Sequence, residues 1–153
     1  MTTFFVLQVV FFSIMLLVVI IKLLHKEKRY DFYLAGRMRG IKDFNFPEFD
    51  RIAKQIRKQG YTVWSPAENN PLDRSFEKCM TVDLNSIINQ CSSIALLTEW
   101  RLSTGANVEV FVGNACGKNI YEINENKETG HIIFNRLDSK KYILPYENYC
   151  LCP

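Results

Sequence analysis

The chain has 153 residues, 48% of them hydrophobic, 23% charged and 13% aromatic, with a formal net charge of +3. That length suits one domain with a short appendage, and the composition excludes a disordered or fibrous protein. Lys22, Lys26, Lys28 and Arg29 against Glu27 account for the whole basic excess, so residues 30–153 are neutral and offer no overall field suited to nucleic acid.

From Phe4 to Ile21 the only polar side chains are Gln8 and Ser13. An apolar run of that length can span a hydrocarbon core of about 30 Å as a helix. Met1-Thr2-Thr3 carries no basic n-region and Lys22-Leu23-Leu24-His25 no small-residue cleavage site. The expectation is therefore an uncleaved transmembrane anchor over residues 1–29 rather than a signal peptide. The basic flank puts residues 30–153 in the cytoplasm, as a single-pass membrane protein. Five cysteines form no C-x-x-C pair, and His25 and His131 have no ligand spacing. No metal site is expected, and scattered thiols fit a reducing compartment.

Tyr30–Ala35 reads as a strand ending in Gly36, followed by a loop rich in Arg and Gly. Asn45 looks like an N-cap, with Pro47 in the first turn and Glu48 as capping-box partner. Phe49, Ile52, Ala53 and Ile56 follow at helical spacing until Gly60. Tyr61–Trp64 is a short strand, and residues 67–74 form a polar loop. A second helix is predicted from Ser75 to Cys91, with Phe76, Met80, Leu84, Ile87, Ile88 and Cys91 on one face. Ser93–Leu97 is a buried strand, a third helix runs from Thr104 to Gly117, and Asn119–Ile123 is a fourth strand. The rest, 124–153, is a tail of no assigned role that alternates weakly through Ile132-Ile133-Phe134. Alternating strands and helices predict an α/β fold with a parallel sheet sandwiched by helices. Ligands on such sheets sit at the carboxyl ends of the strands, which gathers Gly36–Gly40, Ser65–Glu68 and Thr98–Gly105 around one crevice.

Two carboxylates look out of place. Asp83 lies on the apolar stripe of its helix, where it must be paired, neutralised or functional, unless it sits at the stripe's edge and caps a loop. Glu109 has Gly105, Ala106, Val112, Gly113 and Cys116 as helical neighbours, a face with room beside it. Gly36-Arg37-Met38-Arg39-Gly40 follows the first strand at the usual place of a phosphate loop, though it has neither the dinucleotide nor the Walker pattern. It is equally readable as an anion-holding loop of backbone N–H groups and guanidinium forks or as a solvated turn. Ser103 and Thr104, before Gly105, are natural N-caps, and such a terminus also suits an anion. Trp64 and Trp100 at strand ends suit core filling or stacking on a base.

Three segments together resemble the nucleoside 2-deoxyribosyltransferase-like family, in particular its short bacterial and phage members. They are Tyr33-Leu34-Ala35-Gly36-Arg37-Met38-Arg39-Gly40, Phe44-Asn45-Phe46-Pro47-Glu48-Phe49-Asp50, and Ser65-Pro66-Ala67-Glu68. The likeness continues through Asp83-Leu84, Ile94–Leu97, and Trp100 with Ser103-Thr104-Gly105-Ala106-Asn107-Val108-Glu109, covering residues 30–123. The resemblance implies a Rossmann-like, flavodoxin-like sandwich in a homodimer or larger homo-oligomer. It also implies cleavage of the N-glycosidic bond of a deoxynucleoside or its 5′-monophosphate, with the sugar handed to water or to another base, without metal or organic cofactor. By the same resemblance Glu109 is the nucleophile, Asp83 protonates the departing base, and Tyr33 hydrogen-bonds the nucleophile. Gly36, Arg39, Gly40 and Ser103 match positions around a 5′-phosphate. Arg37 stands where the family usually has Pro or Ser, and no match is found for the C-terminal segment that carries an asparagine into a neighbouring subunit's site.

Retaining cleavage at an anomeric carbon needs one carboxylate as nucleophile and one carboxyl as acid, so burial and repulsion should leave Glu109 ionised and Asp83 partly protonated. Two rivals share the fold: a Toll/interleukin-receptor-like glycohydrolase that cleaves NAD through a glutamate, and a non-catalytic, membrane-tethered nucleotide sensor.

Overall fold

The apolar alternations become strands and the amphipathic stretches helices in the computed structural model, which describes residues 8, 10–17, 29–69 and 75–138. In chain order the domain comprises β1 (Tyr30–Ala35), α1 (Phe46–Lys58), β2 (Val63–Trp64), α2 (Phe76–Asn89), β3 (Cys91–Leu96), α3 (Thr104–Ala115), β4 (Asn119–Glu125) and β5 (Ile132–Arg136). Residues 10–17 are also helical and exposed. Among the described residues no helix is long and apolar enough to cross a membrane. Most of the segment expected to be the anchor, 1–7, 9 and 18–28, lies outside them.

The strands form one sheet in the order β2-β1-β3-β4-β5. Pairs β1–β2, β1–β3 and β3–β4 are parallel, whereas β4–β5 is antiparallel. The fold is α/β as expected, but its sheet is mixed rather than parallel. The reason is loop length: residues 126–131 are too few for a crossover, which takes about a dozen residues. Asn126 closes the turn instead, its Oδ1 accepting from the N–H groups of Glu128 (2.9 Å) and Thr129 (3.2 Å). The segment beginning at residue 124 thus completes the sheet, and its Ile132 is buried.

Alternation along β1 divides the core. Phe32 and Leu34 pack toward α1 with Phe49, Ile52, Ala53 and Ile56. Tyr33 and Ala35 point to the opposite face, with Ile87 of α2 and Ala106 and Val110 of α3. This period of two sends the Tyr33 side chain under the helices that carry Asp83 and Glu109.

The start of α1 departs from the capping box. Asp43, Phe44 and Asn45 all have left-handed backbone (φ 52°, 52° and 60°), and Asn45 makes no side-chain cap. Its Nδ2 donates instead to the Arg37 carbonyl at 2.9 Å, and Glu48 pairs with Arg51 at 2.8 Å. The second helix is also shorter than the periodicity implies. Ser75 caps α2 by accepting from the Lys78 N–H, while Cys91 opens β3. The helix is turned so that Asp83, Ser86 and Ile87 are buried and Ile88 and Phe76 face outward. At the far end of α1, the Gln59 amide donates to the Ile132 carbonyl (3.1 Å) and accepts from its N–H (2.7 Å).

Gly113 sets how closely α3 lies on the sheet. A Cβ there would overlap Ile94 Cδ1 and stand 3.7 Å from Ile87 Cγ2. Gly113→Val should therefore overpack the interface and cost roughly 1–3 kcal/mol, read as a lower urea midpoint. An unchanged midpoint would mean that α3 has slack on the sheet.

Candidate active site

At the carboxyl ends of β1 and β3 the sheet opens into a crevice of about 190 Å³. Its walls come from the loop after β1 (Gly36, Met38, Arg39, Phe44), one side of α2 (Phe76, Cys79, Met80, Asp83), and the approach and first turns of α3 (Leu102 to Ala106, Glu109). Such a position, at the point where the strand order reverses, is where doubly wound sheets bind ligands.

The floor is built from three side chains. Glu109 is buried at 6% exposure and Asp83 at 9%, and Tyr33 has none. The Tyr33 hydroxyl donates to Glu109 Oε1 at 2.8 Å, while its ring stacks on Trp64 with centroids 5.1 Å apart. Burial raises Glu109 to about 8, the Asp83 charge adds to the rise, and the Tyr33 hydrogen bond opposes it. Burial likewise raises Asp83 to about 7, with Tyr33 again opposing. Tyr33 itself is held well above its ordinary value by burial and then by the two carboxylates, so it stays a donor. A partly protonated Asp83 is as expected, but the expectation of an ionised Glu109 is corrected. Both carboxyls are raised, and Glu109, the deeper of the two, is raised further. Near neutral pH the pair shares about one proton.

Above the floor, Ser103 caps α3, its Oγ accepting from the Ala106 N–H at 3.2 Å. That leaves its hydroxyl proton available to a ligand. Asn107 fastens the same turn by donating to the carbonyls of Arg101 (2.9 Å) and Ser103 (2.7 Å). Gly36, Arg39, Ser103, Thr104 and Gly105 all line the crevice, and Tyr33 meets it through Glu109. Arg37 and Gly40 are not among the lining residues. The Arg37 guanidinium instead folds back, its Nη2 3.5 Å from where a Gly40 Cβ would stand. Ser65–Glu68, expected at the crevice, also lies elsewhere, with Glu68 bound to Arg57 of α1 at 2.6 Å. Both tryptophans fill the core, and Trp100 Nε1 donates to Glu122 at 3.0 Å.

Sequence reasoning missed the apolar walls. Met38, Phe44, Cys79 and Leu102 carry no periodic signal, while Phe76 and Met80 do and were assigned to the core face. Among the described residues no group of acidic, His and Cys side chains is arranged to hold a metal.

Fold and site together define an α/β domain with a tyrosine-supported carboxyl pair at its strand ends. The chain belongs to the family described as a domain of unknown function, DUF4406, whose profile matches residues 30–122. That span contains Tyr33, Asp83 and Glu109 and stops within β4. No curated protein matches the chain.

The raised carboxyls make stability depend on pH. Ordinary values are 3.8 for Asp83 and 4.5 for Glu109, so between about pH 4 and pH 8 the folded protein holds protons that the unfolded chain releases. Their contribution is complete below that window, is lost progressively across it and is gone once pH has risen through about 7 to 8. Glu109→Gln should therefore melt higher than the native chain at pH 9, on the order of 5 °C, and the gain should vanish near pH 5. An advantage equal at both pH values would mean that the glutamate is not buried as a charge.

Proposed function

We propose that this protein is an N-glycosidase of the nucleoside 2-deoxyribosyltransferase-like kind, acting on a deoxynucleoside 5′-monophosphate. The observation that carries this reading is the buried Asp83–Glu109 pair, with the Tyr33 hydroxyl 2.8 Å from Glu109. Burying two carboxyls beside each other costs a fold stability, and groups so perturbed at a strand-end crevice mark a candidate site of chemistry. With one proton between them, the form bearing it on Asp83 has both a nucleophile and an acid.

In the first step a Glu109 oxygen bonds to the anomeric carbon as the carbon–nitrogen bond breaks. The bonding pair leaves with the base, which takes the Asp83 proton. Tyr33 orients the attacking carboxylate through its hydrogen bond. In the second step water adds to the same carbon, its proton passes to Asp83, and Glu109 departs as carboxylate. Hydrolysis is favoured over transfer to a second base because the crevice is open to water. Arg39, the Ser103 hydroxyl and the N–H groups of Thr104 and Gly105 would meet the 5′-phosphate.

The same reading takes the Rossmann-like sandwich to be carried on a single membrane-spanning segment within residues 1–29, domain in the cytoplasm. It also takes the chain to be a homodimer or larger, for which exposed Leu102 (65%) and Val108 (38%) offer an apolar surface. The crevice volume suits a mononucleotide better than NAD, and a pure sensor would have no need of a buried acid pair.

Incubation of the full-length protein with each deoxynucleoside and its monophosphate, followed by chromatography for free base, tests the activity directly. Glu109→Gln should lower turnover at least about 10³-fold for every substrate. Asp83→Asn should lose on the order of 10²–10⁴ and recover with a base that leaves unprotonated. Equal losses in both variants, whatever the leaving group, would undo the assignment of roles.

Because the active form holds one proton, kcat/KM should peak near pH 7 to 8 and decline on both sides. A rate that climbs steadily to pH 10 would rule out the acid. Arg39→Ala should weaken monophosphate turnover roughly 10- to 100-fold while sparing that of the nucleoside. Protease added to intact cells should leave residues 30–153 uncut; digestion from outside would reverse the proposed orientation.

A further inference from the structure

Phe76 opens α2 with 43% of its surface exposed, although its spacing marks it as a core residue. Its ring lines the mouth of the crevice. The Arg39 guanidinium carbon stands 5.1 Å from the ring centroid, within reach of the electron-rich face. On another side, Phe76 Cε2 is 3.8 Å from where a Cβ on Gly105 would lie, with Met80 Sδ at 3.5 Å. One ring therefore meets Arg39 directly and lies beside the first turn of α3, both of which line the same crevice.

We propose that Phe76 is a positioning residue: its ring holds the Arg39 guanidinium across the mouth of the crevice from the α3 N-terminus, and so sets the preference for a phosphorylated over an unphosphorylated ligand. The proposal rests on reading the crevice as a nucleotide site, but not on turnover. A guanidinium stacked on a ring uses its face, whereas its N–H donors lie in its plane. Contact through the face of the guanidinium therefore does not itself spend those in-plane donors on the ring. Arginine also loses much rotamer freedom when it is fixed, and a ring that restrains it beforehand lessens what is lost when the ligand arrives. A leucine at 76 would fill comparable space without attracting the cation, and a tryptophan would attract it more strongly.

The experiment is calorimetric binding to the full-length protein in detergent, carrying Glu109→Gln so that ligand is not consumed. The probes are the four common deoxynucleoside 5′-monophosphates and their nucleosides. Phe76→Leu should weaken monophosphate binding about three- to tenfold, leave nucleoside binding within about twofold, and be rescued by Phe76→Trp. With Arg39→Ala already present, Phe76→Leu should cost nothing further, because the two act as one unit. Equal weakening of both ligand classes, an undiminished effect without Arg39, or no effect at all would each overturn the role of Phe76 while leaving the nucleotide reading in place. Binding of none of the probes would remove the nucleotide reading, and this proposal with it. Base release that is absent from the native protein despite phosphate-selective, Phe76-dependent binding would count against the glycosidase chemistry alone.

Discussion

Two carboxyl groups stand together where burial keeps both from ionising near neutral pH, and the architecture around them is arranged to keep them there. Tyr33 reaches them because β1 alternates, sending Phe32 and Leu34 to one face of the sheet and Tyr33 and Ala35 to the other. Glu109 reaches them because Gly113, one helical turn further along, lets α3 lie close against Ile94. Asp83 reaches them because α2 is turned with its acid inward and Ile88 outward, an orientation that gives up some apolar burial. A fold optimised for stability alone would make the opposite choice, since desolvating a carboxylate costs more than exposing a methyl group. The pair is thus the feature that the surrounding packing accommodates.

Much of this was legible in the residues. The bounds of β1 were read correctly, and the α1 face of Phe49, Ile52, Ala53 and Ile56 is the buried one, because strong periodicity and tertiary burial agree there. Asp83 and Glu109 were conspicuous for the same reason, as charges interrupting apolar neighbourhoods. What failed was whatever depends on depth or on distant partners. The order of the two carboxyl pKa values follows from which group is deeper, and spacing along a helix does not encode depth. Asn45 has the chemistry of an N-cap, but the Arg37 carbonyl captures its amide. Arg37 and Arg39 look interchangeable in a glycine-rich loop, yet only Arg39 lines the crevice. The fifth strand was hidden because its antiparallel pairing depends on the Asn126 turn, whose polar residues read as tail.

The site divides into a floor and a rim with different physical character. The floor stands on regular elements whose backbone hydrogen bonds are internal. The rim joins helix ends to loop, and the loop includes a run of three left-handed residues that no glycine relieves, Asp43, Phe44 and Asn45. Each such residue costs about 1–2 kcal/mol, offset here in part by the Asn45 bond to Arg37. Strain of this kind gathers where a loop must present a side chain at a set place, and Phe44 lines the crevice. The family match ends at residue 122, so β5 lies beyond it.

That outer strand raises a separate matter. An edge strand offers its unpaired N–H and C=O groups to any other chain that passes, and tethering to a surface would raise the local concentration of such chains. At Ile132 the Gln59 amide occupies both groups, one as donor and one as acceptor, as the backbone of a neighbouring strand would. The end of α1 thereby supplies one rung from a side chain where, among the described residues, no further strand pairs with β5. At that rung the sheet has no bond left to offer, which guards against strand-by-strand aggregation without a proline or a buried charge.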